Sequence, residues 1–223
     1  MGRSQRIAQG NLIYHVLNRA NDRKIIFHKN SDYEAFERIM VEVQMRIPMR
    51  ILAWCLMPNH WHLVLWPTFD GQLSEYMRLL TLTHTQRWHA HYQSAGSGHL
   101  YQGRFKSFIV ESDAYLLIVC RYVEQNPLRA KLVRRAEDWR WSSLWRDYNE
   151  CASGGPVMTC LPVDRSEPWV EWVNQPTAER DLEKVRNCVI KGAPYGSTRW
   201  IGTMADQLGI QSTLRSRGRP KKT

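Results

Sequence analysis

The chain lacks long apolar runs and is poor in acidic residues relative to basic ones. No window of about 18 apolar residues occurs, which is the length that a membrane-spanning helix needs. The first residues also lack the hydrophobic segment of a secretory signal, so we expect a soluble, cytoplasmic protein. The 31 Lys and Arg against 21 Asp and Glu leave a net charge of +10, which favours a polyanionic partner such as nucleic acid.

Cysteine patterns that build zinc or disulfide sites are missing as well. The five cysteines are widely spaced without a Cys-x-x-Cys pair, and no histidine follows His99. Reduced and mostly buried thiols are therefore expected rather than a zinc knuckle. With 43% hydrophobic residues and ten Trp in 223 residues, the chain has enough apolar mass for a globular core.

Hydrophobic periodicity predicts the order β-α-β-β-α-β over roughly the first hundred residues. This order is typical of the ferredoxin-like fold, an α+β split βαβ antiparallel sheet with both helices on one face. A further helix is predicted from Ser112 or Asp113 to about Gln125, where Asn126-Pro127 ends it. The predicted strands cover 12–17, 49–56, a segment from His60, and 105–110, and the two intervening helices run from Ser31 to Pro48 and over 73–92.

The composition shifts after this part of the chain. We expect one domain over residues 1–148, and residues 149–168, rich in Gly, Pro and Ser, predict a linker. Residues 169–214 predict a small helical region, with helices at 177–191 and 197–208, and 215–223 form a basic tail. Arg217-Gly-Arg-Pro-Lys-Lys222 in this tail is similar to an AT-hook, and a disordered basic tail accounts for it equally well. Either would bind nucleic acid.

The most informative motif is His60-Trp61-His62. Side chains two apart on a strand point to the same side, so His60 and His62 can share a metal ion. Trp61 and Leu63 then point to the opposite side. A structural or surface role is the alternative for an isolated His-x-His pair.

A second candidate group lies on the helix that follows the fourth strand. Tyr122 and Asn126 are four residues apart and are neighbours if the last helical turn persists. Asn126 offers a carbonyl oxygen to a hard cation, and Tyr122 offers a phenol that becomes a nucleophile beside a cation or a base. Tyr115, seven residues before Tyr122, is the rival nucleophile, with core packing as its alternative. Glu124 lies roughly opposite Tyr122 and is expected to be a surface charge.

These residues resemble the motifs of single-tyrosine HUH transposases, and among them the REP-associated tyrosine transposases of bacteria. The resemblance covers roughly residues 8–148. It rests on the order and spacing of His60-Trp-His62, Leu100–Lys106, Arg121–Ala130 and Trp139–Ser143.

The resemblance implies a ferredoxin-like fold and a DNA nickase and strand transferase. Tyr122 is then the nucleophile that forms a 5′-phosphotyrosine intermediate, and His60 and His62 ligate Mg²⁺ or Mn²⁺. Asn126 stands where related enzymes place a third polar ligand, which is Gln in some of them. The implied substrate is single-stranded or hairpin DNA near palindromic repeats of the REP type.

Basic and aromatic residues around these motifs are candidates for DNA contact. Phosphate contacts would make affinity fall steeply with salt, although a solvated basic face is the alternative for any single residue. Tyr101, Trp139 and Trp141 are candidates for stacking on bases or for the core. His84, His89 and His91 are expected to be solvated or to touch phosphate. The predicted DNA-binding residues are Arg104, Lys106, Arg121, Arg129, Arg134, Arg217, Arg219, Lys221 and Lys222.

Two other functions stay open. One is a domesticated, sequence-specific DNA-binding protein without strand transfer, and the other is a metal-dependent phosphodiesterase in which water attacks and Tyr122 only packs. The sequence also leaves open whether the protein is a monomer or a homodimer, and whether one chain or two supply each site.

Overall fold

A four-stranded antiparallel sheet with the order β2-β3-β1-β4 organises the molecule. The computed structural model describes residues 7–149, 154–165 and 168–215. The order of the elements and of the strands is that of the ferredoxin-like fold, which confirms the predicted fold class. The strands are β1 (Ile13–Arg19), β2 (Arg50–Met57), β3 (His60–Trp66) and β4 (Lys106–Val110).

The two crossover helices, α1 (Asn30–Arg46) and α2 (Gln72–His91), cover one face of the sheet. Trp61, Leu63 and Leu65 of β3 enter the core beneath them and are fully buried. The alternation along β3 therefore turns the two histidines and Val64 towards the other face.

That other face is covered by α3 (Ala114–Glu124), which carries the candidate nucleophile. The carboxylate of Asp113 caps the helix by accepting a hydrogen bond from the backbone N–H of Tyr115 at 2.8 Å. The apolar side chains of α3 recur at helical spacing and pack on the sheet. They are Leu116, Val119, Cys120 and Val123.

α3 ends at Glu124, close to the predicted end at about Gln125, but the chain continues in a helical conformation past Asn126. A short helix, α4 (Asn126–Arg129), follows α3 directly, with Pro127 in its first turn. Proline is tolerated there because the first-turn N–H groups have no intrahelical partner.

The C-terminal helices pack against the sheet and α3 rather than standing apart. Tyr195 extends the edge of β4, donating its N–H to the carbonyl of Ile109 and accepting from the N–H of Glu111, both at 2.9 Å. The remaining helices are α5 (Ser143–Tyr148), α6 (Trp169–Asn174), α7 (Glu179–Lys191) and α8 (Thr198–Gln207), with 3-10 turns at Asn21–Arg23, Ala136–Asp138 and Gln211–Leu214. The predicted helices at 177–191 and 197–208 correspond to α7 and α8, whereas the sequence pattern does not predict α6.

The described part of the predicted linker is packed. Thr159 donates its backbone N–H to the carbonyl of Ile51 at 2.8 Å, and the side chain of Gln44 bonds both backbone groups of Val157. Residues 154–165 therefore run beside the outer edge of β2. Among the helices of the described ranges, none is long and apolar enough to cross a bilayer. The AT-hook-like segment lies outside the described residues.

The prediction that Glu124 is a surface charge is wrong. Its side chain is fully buried and accepts hydrogen bonds from Ser143 Oγ at 2.7 Å and from Trp169 Nε1 at 2.8 Å, with Arg165 Nη2 at 3.9 Å. The side of α3 that faces away from Tyr122 is covered by later parts of the chain, which the periodicity of α3 alone does not reveal.

We predict that Glu124→Ala lowers the free energy of unfolding by about 3 kcal/mol, because it leaves buried donors without an acceptor. Glu124→Gln keeps the volume and an acceptor, and is expected to cost much less. Urea denaturation at neutral pH measures both, and equal losses would contradict the assigned contacts.

Burial raises the pKa of the Glu124 carboxyl, so unfolding releases a proton once the pH exceeds the usual carboxyl range. The contribution of Glu124 to stability should therefore fall as the pH rises from that range towards the raised pKa, and Glu124→Gln should remove this part of the pH dependence.

Candidate active site

The two histidines of the His-x-His motif lie on the same face of β3, as predicted. Their ring centroids are 5.0 Å apart. His62 is 2% exposed, while His60, at the start of the strand, is half-buried. A rigid strand in the middle of the sheet thus holds two imidazoles side by side, open towards α3.

The hydrogen bonds of Asn59 fix the tautomer of His60. Asn59 Nδ2 donates to the carbonyl of Arg23 at 3.0 Å, which turns Oδ1 of the amide to His60 Nδ1 at 2.6 Å. Because this oxygen can only accept, Nδ1 of His60 carries the proton and Nε2 keeps a free lone pair. This is the state in which an imidazole binds a metal ion.

His15 is a member of the site that sequence reasoning missed. It lies on β1, buried at 1% exposure, and its Nε2 is 2.9 Å from Nδ1 of His62. In the register of β1 against β3, Leu17 faces His62, so His15 points to the same face two residues earlier. A sequence signal was present in the alternation of β1, but the register that brings His15 to His62 cannot be read from it.

Burial keeps all three imidazoles neutral. It lowers the pKa of His15 and of His60 to about 3 and that of His62 well below its ordinary value. The nearby charges of Arg19 and Arg129 push the pKa of His60 in the same direction. At neutral pH the rings are therefore electron-pair donors rather than cations.

Tyr122 lies directly beside this group. The centroid of its ring is 5.8 Å from that of His62 and 6.1 Å from that of His15, with the rings nearly perpendicular. Tyr122 is partly exposed, and no described residue hydrogen-bonds to its hydroxyl. One chain therefore brings the phenol and the two imidazoles together.

Arg129 connects α3 and α4 beside the phenol of Tyr122. Its guanidinium carbon is 4.2 Å from the centre of the Tyr122 ring. Nη1 donates to the carbonyl of Tyr122 at 3.0 Å, and Nη2 donates to Oδ1 of Asn126 at 2.7 Å. The contacts fix the junction between α3 and α4, and with it the backbone at the phenol.

Asn126 stands next to Tyr122, but both ends of its amide have partners. Nδ2 donates to the carbonyls of Tyr122 and Val123 at 3.0 and 3.2 Å, and Oδ1 accepts from Arg129. An amide oxygen keeps a second lone pair, so metal ligation by Asn126 stays a prediction.

The donor set fits part of a divalent cation site. Within the described ranges, no three His, Cys, Asp or Glu side chains are grouped so that they could hold a metal ion. Nε2 of His60 and Nε2 of His62 can supply two ligands, and neither atom has a hydrogen-bond partner among the described residues. Further ligands would be oxygens, from Asn126, water or a bound phosphate.

The predicted DNA-binding residues separate into four groups, one of which is Arg121 alone. Arg104, Lys106 and Arg134 are exposed, and the first two line a groove of about 860 Å³ between β4 and the C-terminal helices. Arg129 is half-buried at the phenol. The predicted contacts in the tail, which lie outside the described residues, are Arg217, Arg219, Lys221 and Lys222.

Arg121 has a structural role instead of the predicted contact with DNA. It is only 9% exposed, its Nη2 donates to the carbonyl of Gln175 at 2.7 Å, and its guanidinium carbon is 4.6 Å from the ring centre of Trp172. One turn later, Gln125 Nε2 donates to the carbonyls of Val173 and Gln175, both at 2.7 Å. These bonds hold α3 against the end of α6.

Two of the candidate base-stacking residues belong to the core. Trp141 stacks on Tyr33 with 4.7 Å between the ring centroids, and the hydroxyl of Tyr101 accepts from Trp61 Nε1 at 3.0 Å. Trp139 is half-buried and donates Nε1 to the carbonyl of Leu56 at 2.9 Å.

His84 is buried, which corrects the prediction that it is solvated. It is 4% exposed, lies against Phe27 and Phe36, and its Nδ1 is 2.6 Å from the hydroxyl of Tyr101. Tyr115, the rival nucleophile, packs against Tyr195 with 5.4 Å between the ring centroids, away from the histidines.

Comparison with known families decides the classification. Residues 8–126 match the family model described as IS200-like transposase. The match covers more than half of the chain and includes both histidines and Tyr122. The chain belongs to the IS200-like transposase family. The family expected from the motifs is thereby confirmed.

One solved structure supports the fold of this IS200-like transposase. The structure of a REP-associated tyrosine transposase bound to a REP hairpin is 20% identical and has a TM-score of 0.54, covering 71% of this chain and 99% of its own. A putative transposase from Deinococcus radiodurans R1 is 16% identical with a TM-score of 0.40, covering 55% of this chain and 96% of its own. A comparison with curated proteins finds no match.

We predict that Arg121→Ala in this transposase lowers the unfolding temperature and leaves the salt dependence of DNA affinity unchanged, because the guanidinium bonds to protein carbonyls and not to phosphate. Thermal denaturation and DNA binding at several salt concentrations measure the two effects. Arg104→Ala, at an exposed position, is the matched control and should show the opposite pattern. A reduced salt slope in Arg121→Ala would contradict the structural role.

Proposed function

We propose that this IS200-like transposase cleaves and rejoins single strands of DNA through a covalent link to Tyr122. The observation that carries the proposal is the position of the Tyr122 ring, 5.8 Å from His62 and on the same sheet face as the imidazole pair. A phenol in this position, partly exposed and with no described partner for its hydroxyl, can reach a phosphate bound beside the imidazoles.

The proposed reaction exchanges one phosphodiester for another. The phenolic oxygen of Tyr122 attacks phosphorus, the bond from phosphorus to the 3′ oxygen breaks, the phenol loses its proton, and the 3′ oxygen takes one up. The products are a 5′-phosphotyrosine and a free 3′-hydroxyl. Because the new bond is again a phosphodiester, a 3′-hydroxyl can reverse the step without ATP.

The residues around the imidazoles prepare the site for Mg²⁺ or Mn²⁺. Asn59 fixes His60 with its Nε2 lone pair free, and His15 holds the ring of His62. A divalent ion bound there would polarise the phosphate and screen the charge that develops on it. Orientation of the rings by buried hydrogen bonds would favour this binding, since the ligands need not reorganise.

Single-stranded or hairpin DNA is the proposed partner. The net charge of +10 and the exposed Arg104 and Lys106 beside the groove at β4 supply attraction to phosphate. The fold neighbour with the TM-score of 0.54 is bound to a REP hairpin, which supports a hairpin near palindromic repeats as the substrate. The basic tail adds cations for the same partner.

The proposal predicts a covalent protein–DNA adduct that depends on Tyr122. The full chain is incubated with Mn²⁺ and a pool of labelled hairpin DNAs with randomised single-stranded flanks, and the products are separated on a denaturing gel. Tyr122→Phe should abolish the adduct, and His60→Ala or His62→Ala should abolish cleavage while retaining DNA binding.

The matched control for this experiment is Tyr115→Phe, which removes a phenol from the same helix and should leave the adduct intact. Cleavage that survives Tyr122→Phe would show hydrolysis by water instead. Tight binding by the wild type without any adduct would show a DNA-binding protein without strand transfer.

A further inference from the structure

Arg19 is a second cation at the site, and neither the motifs nor the predicted DNA contacts include it. It is the last residue of β1 and lies directly opposite His60 in the pairing of β1 with β3. Directly opposed residues of antiparallel strands point to the same face with about 5 Å between their Cβ atoms. The charge of Arg19 acts on both His60 and His62, as does that of Arg129.

The two guanidiniums have no acidic partner within the described ranges. Neither arginine takes part in an ion pair there, and Nε of Arg19 is buried without a hydrogen-bond partner. Glu179 is the acid whose charge reaches Arg129, and its carboxylate is bonded to Arg186 at 2.5 Å. The site therefore carries two positive charges, neither of which forms an ion pair within the described ranges.

Buried donors without partners and unbalanced charge are both costly, so the arrangement indicates an anionic ligand. A phosphodiester would accept hydrogen bonds from the free donors and balance the charge, since guanidinium groups match its oxygens in geometry and charge. Arg129 uses one hydrogen bond from each terminal nitrogen internally, which leaves donors for a ligand. Arg19 keeps its Nε free.

We infer that Arg19 and Arg129 together bind the scissile phosphate beside His60 and His62, and that a divalent ion binds tightly here only with that phosphate in place. The inference rests on the proposed function. It specifies which residues bind the phosphate and that the metal ion depends on that phosphate. Without the phosphate, two guanidiniums repel an incoming cation, and the negative charge of the phosphate removes that repulsion.

Arg19 is the better probe of this pair. Arg129 also holds the carbonyl of Tyr122 and the amide of Asn126, so its loss would disturb the position of the phenol. The side chain of Arg19 donates no hydrogen bond to the described protein, and Arg19→Gln removes its charge while keeping much of its length.

The test measures two quantities in Arg19→Gln that should move in opposite directions. Titration with Mn²⁺ alone, followed by electron paramagnetic resonance, should show binding to the DNA-free variant about tenfold tighter than to the wild type. The rate of adduct formation on a hairpin that the wild type cleaves should fall about tenfold. A residue that merely supported the fold would not raise the affinity for Mn²⁺ when removed.

Arg78→Gln is the matched control, because Arg78 is exposed on α2 on the opposite face of the sheet and its loss changes the net charge equally. It should alter neither quantity. In a Tyr122→Phe background, which prevents turnover, hairpin DNA should raise Mn²⁺ affinity more in the chain that keeps Arg19 than in the chain that also carries Arg19→Gln.

Unchanged or weaker Mn²⁺ binding in Arg19→Gln, or adduct formation at the wild-type rate, would overturn the inference. Arg19→Lys keeps the charge, so without DNA it should bind Mn²⁺ as weakly as the wild type does. This variant separates the effect of the charge from a general loss of structure. Failure of the proposed function would instead show as a wild type that forms no adduct, a result that the Mn²⁺ titrations of DNA-free protein do not depend on.

Discussion

The packing of α3 across the open face of the sheet is the constraint on which the site depends. Leu116, Val119 and Val123 bury their side chains against the strands, and this burial turns Tyr122 towards the imidazoles of β3. The position of the phenol is therefore set by the hydrophobic interface between α3 and the sheet. The polar contacts of the candidate site are arranged around a helix whose position is set by this packing.

The C-terminal part of the chain has its clearest role in holding this helix. Glu124, Arg121 and Gln125 make buried contacts with Arg165, Trp169, Val173 and Gln175. The family match ends at residue 126, so the residues that α3 contacts here lie beyond it. A helix held by both the sheet and the later segments keeps the phenol in one orientation, which the proposed in-line displacement at phosphorus requires.

Alternation and helical spacing suffice to predict the strands and helices of the first domain, the common face of His60 and His62, and the proximity of Tyr122 to Asn126. What they do not predict depends on register and on long-range cover. His15 reaches His62 only through the pairing of β1 with β3. Glu124 is interior because segments that come much later in the chain close over it, and no local pattern in α3 encodes that closure.

The central claim is that one chain supplies both the imidazole pair and the phenol of each site. It is tested most directly by mixing two inactive variants, Tyr122→Phe and His60→Ala, one of them carrying a tag that changes its size on a gel. The account predicts that the mixture forms no protein–DNA adduct on hairpin DNA that the wild type cleaves. An adduct on the His60→Ala chain, which alone retains Tyr122, would mean that imidazoles of one chain serve the phenol of another and would contradict it.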